Sequence, residues 1–282
     1  MARRYFTAVN VCLLTACTIA PLHSASDLAP LIELPIVLRN GLPTVTVVVA
    51  GRSLDLFLDL AGHNTISLTA EELARVPVRY LDAADRYRNS SGTTFTARRF
   101  VAPHVVAAGY SVGDLEGGEY VLPSTGGPPD RNGYLGHGFL TKYLLVLDYP
   151  SRRVRLYRPG DQNAFKAECG APQFAVTNRG GFTTSFADTE YGPISVLWDT
   201  GATHNFLRPS AVPAVVKLAR KIDEGEPVIS ILEVDLGNGN IGPLDFRLLS
   251  FAAPDVDATF GTGLFATRKV CFDFVLGKGA IR

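Results

Sequence analysis

One order of elements occurs twice in this chain, and that repeat narrows the available folds more than any other feature. The stretch "GHGFLTKYLLVLDY" begins at Gly136 and "GTGLFATRKVCFDF" begins at Gly261. Each runs Gly-x-Gly, two apolar residues, then an extended segment ending in Asp and an aromatic, with Asp148 and Asp273 both 12 residues after the first Gly. A turn and a further short strand follow each, in "PSRRVRLYR" and "VLGKGAIR".

The match continues upstream. "RSLDLFLDLAGHN" and "GPISVLWDTGATHN" are apolar runs that end in Asp59 and Asp199, turn, and reach a His-Asn pair. A short helical pattern comes next in both halves. Thr69 to Glu72 reads as a capping box, and Ser210 is placed to cap "AVPAVVKLARK", with Pro213 tolerated in its first turn. Duplication at about half the chain length implies two similar lobes rather than a short-period solenoid. Gly (27) and Pro (18) are plentiful and long helical periods are few, which favours short strands joined by turns. The linker is expected near Pro159 to Pro172, where periodicity fades.

Lys plus Arg and Asp plus Glu are both 27, so the net charge is zero, which argues against binding nucleic acid through its phosphates. Hydrophobic residues at 46% are enough to bury a core across 282 residues. Residues 1–25 read as a signal peptide: Arg3 and Arg4 precede an apolar stretch too short to span a bilayer. Leu14-Thr15-Ala16-Cys17 resembles a bacterial lipobox, which makes Cys17 a lipidation candidate. Cleavage after Ala25 is the alternative. An exported chain in the cell envelope or periplasm is expected, soluble or tethered to the membrane through that lipid. Cys169 and Cys271 then remain in a compartment that permits disulfides, either paired or as separate buried thiols.

Asp199-Thr200-Gly201-Ala202, preceded by "ISVLW", resembles the signature of aspartic proteases. The apolar-Gly pairs Leu135-Gly136 and Phe260-Gly261 match that family's second element. The chain is therefore similar, over roughly residues 30 to 282, to a two-lobed bacterial member of the retropepsin-like and pepsin-like group. The resemblance implies an all-β fold with short helices, built as two similar β-barrel lobes over residues 28–160 and 172–282, with an active-site cleft between them. It implies an endopeptidase acting on polypeptide as a monomer, without cofactor or metal. Asp59 and Asp199 would be the catalytic pair, sharing one proton and activating a water. Thr200 would hydrogen-bond across to the opposite lobe. Gly201, Ala202, Gly136 and Gly261 would support the site. "RYRNSSGTTFTARRF" would form a flap over the cleft, with Asn89 to Gly92 as its turn and Tyr87 as the candidate flap tyrosine.

The first Asp motif departs from the pattern. Aligned on the His-Asn pairs, His63 is four residues after Asp59 while His204 is five after Asp199, and Thr69 and Ser210 show the same offset. The first loop therefore reads as one residue short, with its Thr lost. Two readings stay open: a protease with an unusual first lobe, or a retained fold with a broken dyad that binds peptide or serves as a structural module of the envelope. Pairing of Asp199 with a second chain is a third, disfavoured by two lobes in one chain. The five His show no metal spacing, and "DLGNGNIG" lacks the ending of a phosphate loop and reads as a β-turn.

Overall fold

The structure, a computed structural model, describes residues 28–88, 92–121, 132–212, 221–223, 225–237, 239–251 and 255–282. The lipobox with Cys17, most of the Asn89 to Gly92 turn and most of the helix expected after Ser210 lie outside the described residues.

Largely apolar, mostly buried segments build the first lobe. Leu42–Val49 pairs antiparallel with Arg52–Asp59 through a tight turn at Ala50 and Gly51, both at positive φ. Those strands belong to an eight-stranded sheet in the order Val37–Arg39, Leu42–Val49, Arg52–Asp59, Gly133–Gly136, Ile66–Leu68, Tyr110–Glu119, Thr94–Ala107, Arg79–Arg88. Leu42–Val49 also pairs with Thr94–Ala107, which curls the sheet toward a barrel.

The second lobe repeats that order. Its sheet runs Thr177–Arg179, Phe182–Thr189, Gly192–Trp198, Ala258–Phe260, Phe206–Leu207, Leu244–Leu248, Glu226–Ile231, Lys221–Asp223. In each lobe the strand carrying the Asp lies parallel to the strand carrying the Gly, and a short strand pairs antiparallel on the other side of the Gly strand.

A third, six-stranded sheet joins the lobes: Ile32–Pro35, Arg153–Tyr157, Leu144–Asp148, Lys269–Asp273, Lys278–Ile281, Phe174–Ala175. Its central pair, Leu144–Asp148 with Lys269–Asp273, consists of the two repeat strands lying antiparallel to each other. Trp198, fully buried, stacks on Phe174 from this sheet at 5.1 Å and meets Phe260 and Phe272 edge-on at 5.0 and 5.1 Å.

The segment between the lobes is more ordered than its composition suggests. Asp161 caps an eight-residue helix, Gln162–Cys169, by accepting the Ala164 N–H at 2.9 Å. That helix carries Cys169, which is disulfide-bonded to Cys271 on the central sheet. Thr69 caps a single helical turn, Ala70–Leu73, by accepting the Glu72 N–H, but its own N–H donates to Asn132 O and not to Glu72, so only half of the expected capping box forms. Asp235 accepts the Gly237 and Gly239 N–H groups, so "DLGNGNIG" is a turn. Among the described residues no helix is long and apolar enough to cross a membrane.

Candidate active site

The two Asp turns are equal in length, which corrects the expectation of a shortened first loop. Asp59 lies opposite Gly136 in the parallel pair, and the Asp199 N–H donates to Phe260 O, one residue before Gly261. Gly62 N–H closes the first turn on Asp59 O at 3.0 Å, and Ala202 N–H closes the second on Asp199 O at 3.3 Å. Gly62 O then accepts His137 N–H, as Ala202 O accepts Thr262 N–H. Leu60-Ala61-Gly62 is thus the counterpart of Thr200-Gly201-Ala202.

The His-Asn pairs are a chance match of letters. Asn205 accepts the Gly261 N–H and donates to Asp245 O, while Asn64, one place earlier in its turn, donates to Ser67 Oγ. The real offset comes after the turn and has the opposite sense. Ile66 pairs with Leu135, whereas Phe206, also seven residues after its Asp, pairs with Thr259 rather than Phe260.

The lobes meet at these turns, and the contact is one-sided. Thr200 Oγ accepts the Leu60 N–H at 2.9 Å and donates to Leu58 O at 2.8 Å. Leu60, in the matching place, is fully buried and has no hydroxyl to return the bond. A Cβ on Gly201 would sit 2.8 Å from Asp59 Cγ, so only glycine lets the second turn lie against the first carboxylate. Gly136 and Gly261 are fixed by the same kind of crowding: a Cβ on either would come 2.2 Å from a backbone oxygen, of Asn64 or His204.

The side chains of Asp59 and Asp199 are hydrogen-bonded to each other. Ala61 N–H donates to Asp59 Oδ1 at 3.1 Å, and Gly201 N–H to Asp199 Oδ1 at 2.8 Å. Only part of each residue reaches solvent. Desolvation pushes the Asp199 carboxyl up to about 6, against the opposing pull of the Gly201 and Ala202 N–H groups and of Asp59. Two carboxyls in hydrogen-bonding contact can hold one proton between them and present one ionised and one acidic oxygen to a bound group.

Three residues around the pair carry no recognised signal in the sequence. Tyr134 packs against the Asp59 turn with its hydroxyl bonded to Ser67 and Asn64. Tyr149 is buried beneath the pair, with no partner for its hydroxyl among the described residues, and its phenol is raised by burial and by both aspartates. His137 is buried, its Nε2 also lacks a described partner, and burial beside His63 lowers it to about 4. The only hint was asymmetry between the halves: Tyr134 and His137 stand where the second half has Thr259 and Thr262.

The expected flap is a hairpin of Arg79–Arg88 and Thr94–Ala107. Tyr87 lies on it, 5.7 Å from the Phe95 ring, with its hydroxyl bonded to the Val121 backbone. Tyr120, beside Val121, joins Phe57 and Tyr134 in an aromatic cluster with centroids 5.4 to 5.9 Å apart. Among the described residues no three His, Cys, Asp or Glu side chains are grouped to hold a metal ion.

No family profile and no curated protein matches the chain by sequence. Its backbone is similar to the aspartic proteinase from Irpex lacteus (TM-score 0.59, 12% identity, 88% of this chain and 96% of that one). It is also similar to basic 7S globulin from soybean (0.56, 13%, 89% and 95%) and to conglutin gamma, a basic 7S globulin from lupine seeds (0.55, 11%, 89% and 94%). The fold is that of pepsin-like aspartic proteinases, and proteins titled as seed globulins share it.

Proposed function

We propose that the chain is an aspartic endopeptidase whose catalytic pair is Asp59 and Asp199. The observation that carries this reading is the hydrogen-bonded carboxyl pair, set on two turns of equal length that face each other across the lobe junction. The ionised member takes a proton from water as the water attacks a peptide carbonyl, and the protonated member donates to the carbonyl oxygen. Thr200, Gly201, Ala202, Gly136 and Gly261 hold the backbones that aim the two carboxyls. The Tyr87 hairpin covers an extended polypeptide lying in the cleft.

A second reading rests on a specific observation. Leu60 and Ala61 stand where the second turn has Thr200 and Gly201, so the first turn returns no hydroxyl bond and the Asp199 turn goes without the cross-lobe bracing that Thr200 gives Asp59. On that reading the cleft binds peptide without cutting it. Incubation of the chain from residue 28 onward with an unfolded protein, with and without a pepstatin-type inhibitor, separates the two. Inhibitor-sensitive cleavage supports the peptidase, and peptide binding without cleavage at any pH from 3 to 7 supports the binding module. Export, lipidation at Cys17, a bacterial origin and action as a monomer belong to the same proposal.

A further inference from the structure

We propose that the Tyr134 ring is a positioning residue for Asp59, acting from within the first lobe. The inference rests on the peptidase reading for its catalytic consequence but not for its geometry.

The glycine of the Asp turn changes place between the lobes. The second turn reads Gly201-Ala202 and the first reads Ala61-Gly62. Tyr134 explains the change. It lies two residues before Gly136 on one face of its strand, directly across from Phe57, and leans over the space that Gly136 leaves open. A Cβ on Gly136 would come 2.8 Å from Tyr134 Cε2, and one on Gly62 would come 2.6 Å from the same atom. The second lobe has the smaller Thr259 at this position and accommodates Ala202.

The Cβ position missing from Gly62 is also 2.9 Å from Asp59 Cγ and 3.0 Å from Oδ2. Ring edge and carboxylate therefore face each other across a vacant methyl position, less than about 6 Å apart. The edge of an aromatic ring carries the positive end of its quadrupole, so this contact favours a carboxylate held in place and ionised. The hydroxyl points to Ser67 and Asn64, and Asn64 in turn donates to Ser67 Oγ at 2.9 Å. That network braces the ring from its far end. Phe57 and Tyr120 pack on its sides, which fixes its tilt.

The test uses Tyr134→Phe, which keeps the ring edge, and Tyr134→Leu, which keeps apolar bulk without it. The first readout is the titration of the Asp59 and Asp199 carboxyl carbons by NMR in aspartate-labelled protein, assigned with Asp59→Asn. The second is the pH profile of kcat/KM. Tyr134→Leu is expected to raise the lower titration of the pair by half a pH unit or more and to cut kcat about tenfold with KM little changed. Tyr134→Phe is expected to keep the wild-type titration and to stay within threefold in kcat. An unchanged titration in Tyr134→Leu, or the same shift in Phe as in Leu, overturns the proposal. If the wild type cleaves nothing, the peptidase reading falls, and the titrations alone still decide the role of Tyr134.

Discussion

Thr200→Val removes a hydroxyl that ties the two Asp turns together and leaves the shape of the side chain almost unchanged. Thr200 is fully buried, and its Oγ both accepts the Leu60 N–H and donates to Leu58 O. Valine leaves that N–H and that carbonyl without their partner at the lobe junction. An orphaned buried polar group costs about 1–3 kcal/mol, so the loss of both partners should be about 2–6 kcal/mol. That is a large share of a total stability on the order of 5–15 kcal/mol. Thr200→Ser keeps the hydroxyl and loses one methyl, at a cost of about 1 kcal/mol. Urea unfolding followed by fluorescence of Trp198, the single tryptophan, measures both, because Trp198 lies two residues away in the buried core of the second lobe. The slope m should stay constant while the midpoint falls. The Val variant should also lose roughly 100-fold in peptidase rate if the carboxyls shift by about 1 Å. A Val variant as stable as the Ser variant would refute the claim that this hydroxyl holds the lobes in register.

Other perturbations follow from the same contacts. Tyr149→Phe removes a buried hydroxyl with no described partner, so it should be neutral or stabilising by up to about 1 kcal/mol in the same urea assay. Gly62→Ala places a methyl 2.6 Å from Tyr134 Cε2 and should destabilise by about 1–3 kcal/mol, with part of the loss recovered in a Tyr134→Thr background. The raised Asp199 carboxyl binds its proton more tightly in the folded state, so its contribution to stability is complete below about pH 4 and is lost as pH rises through about 6. The lowered His137 acts in the opposite sense: the unfolded state takes up the proton first, so stability falls as pH drops from about 6.5 to 4. Asp199→Asn removes the proton-binding effect of the pair and leaves that of His137, and unfolding measured across this window should then show stability rising with pH more steeply than in the wild type. Leu60→Thr with Ala61→Gly restores the second-lobe pattern to the first turn and should raise kcat above wild type, and an unchanged kcat would show that the one-sided contact does not limit the reaction.

Much of the architecture was legible because the repeat copies it. Gly136 and Gly261 mark equivalent turns, and the apolar runs ending at Asp59 and Asp199 are equivalent strands beside them. Local pattern could not reveal that Leu144–Asp148 and Lys269–Asp273 pair with each other, since a strand does not encode which distant strand it will meet. The same limit applies to Cys169 and Cys271, which the Gln162–Cys169 helix brings together. The His-Asn pairs mislead because identical letters fall at different places on backbones of equal length. Asn64 and Asn205 serve different partners one position apart, and the turns before them are equal. The pairing of Tyr134 with Gly62 is not legible in the sequence, because it lies in a single contact between residues 72 positions apart.

The dyad itself is tested most directly by the pH profile of kcat/KM for cleavage of an unfolded protein by the wild type, Asp59→Asn and Asp199→Asn. A pair sharing one proton gives a bell-shaped profile in acid, with its upper limb near pH 6, and either Asn variant alone abolishes cleavage. Cleavage that survives in Asp59→Asn would contradict it, because the first-lobe carboxyl would then take no part in the chemistry.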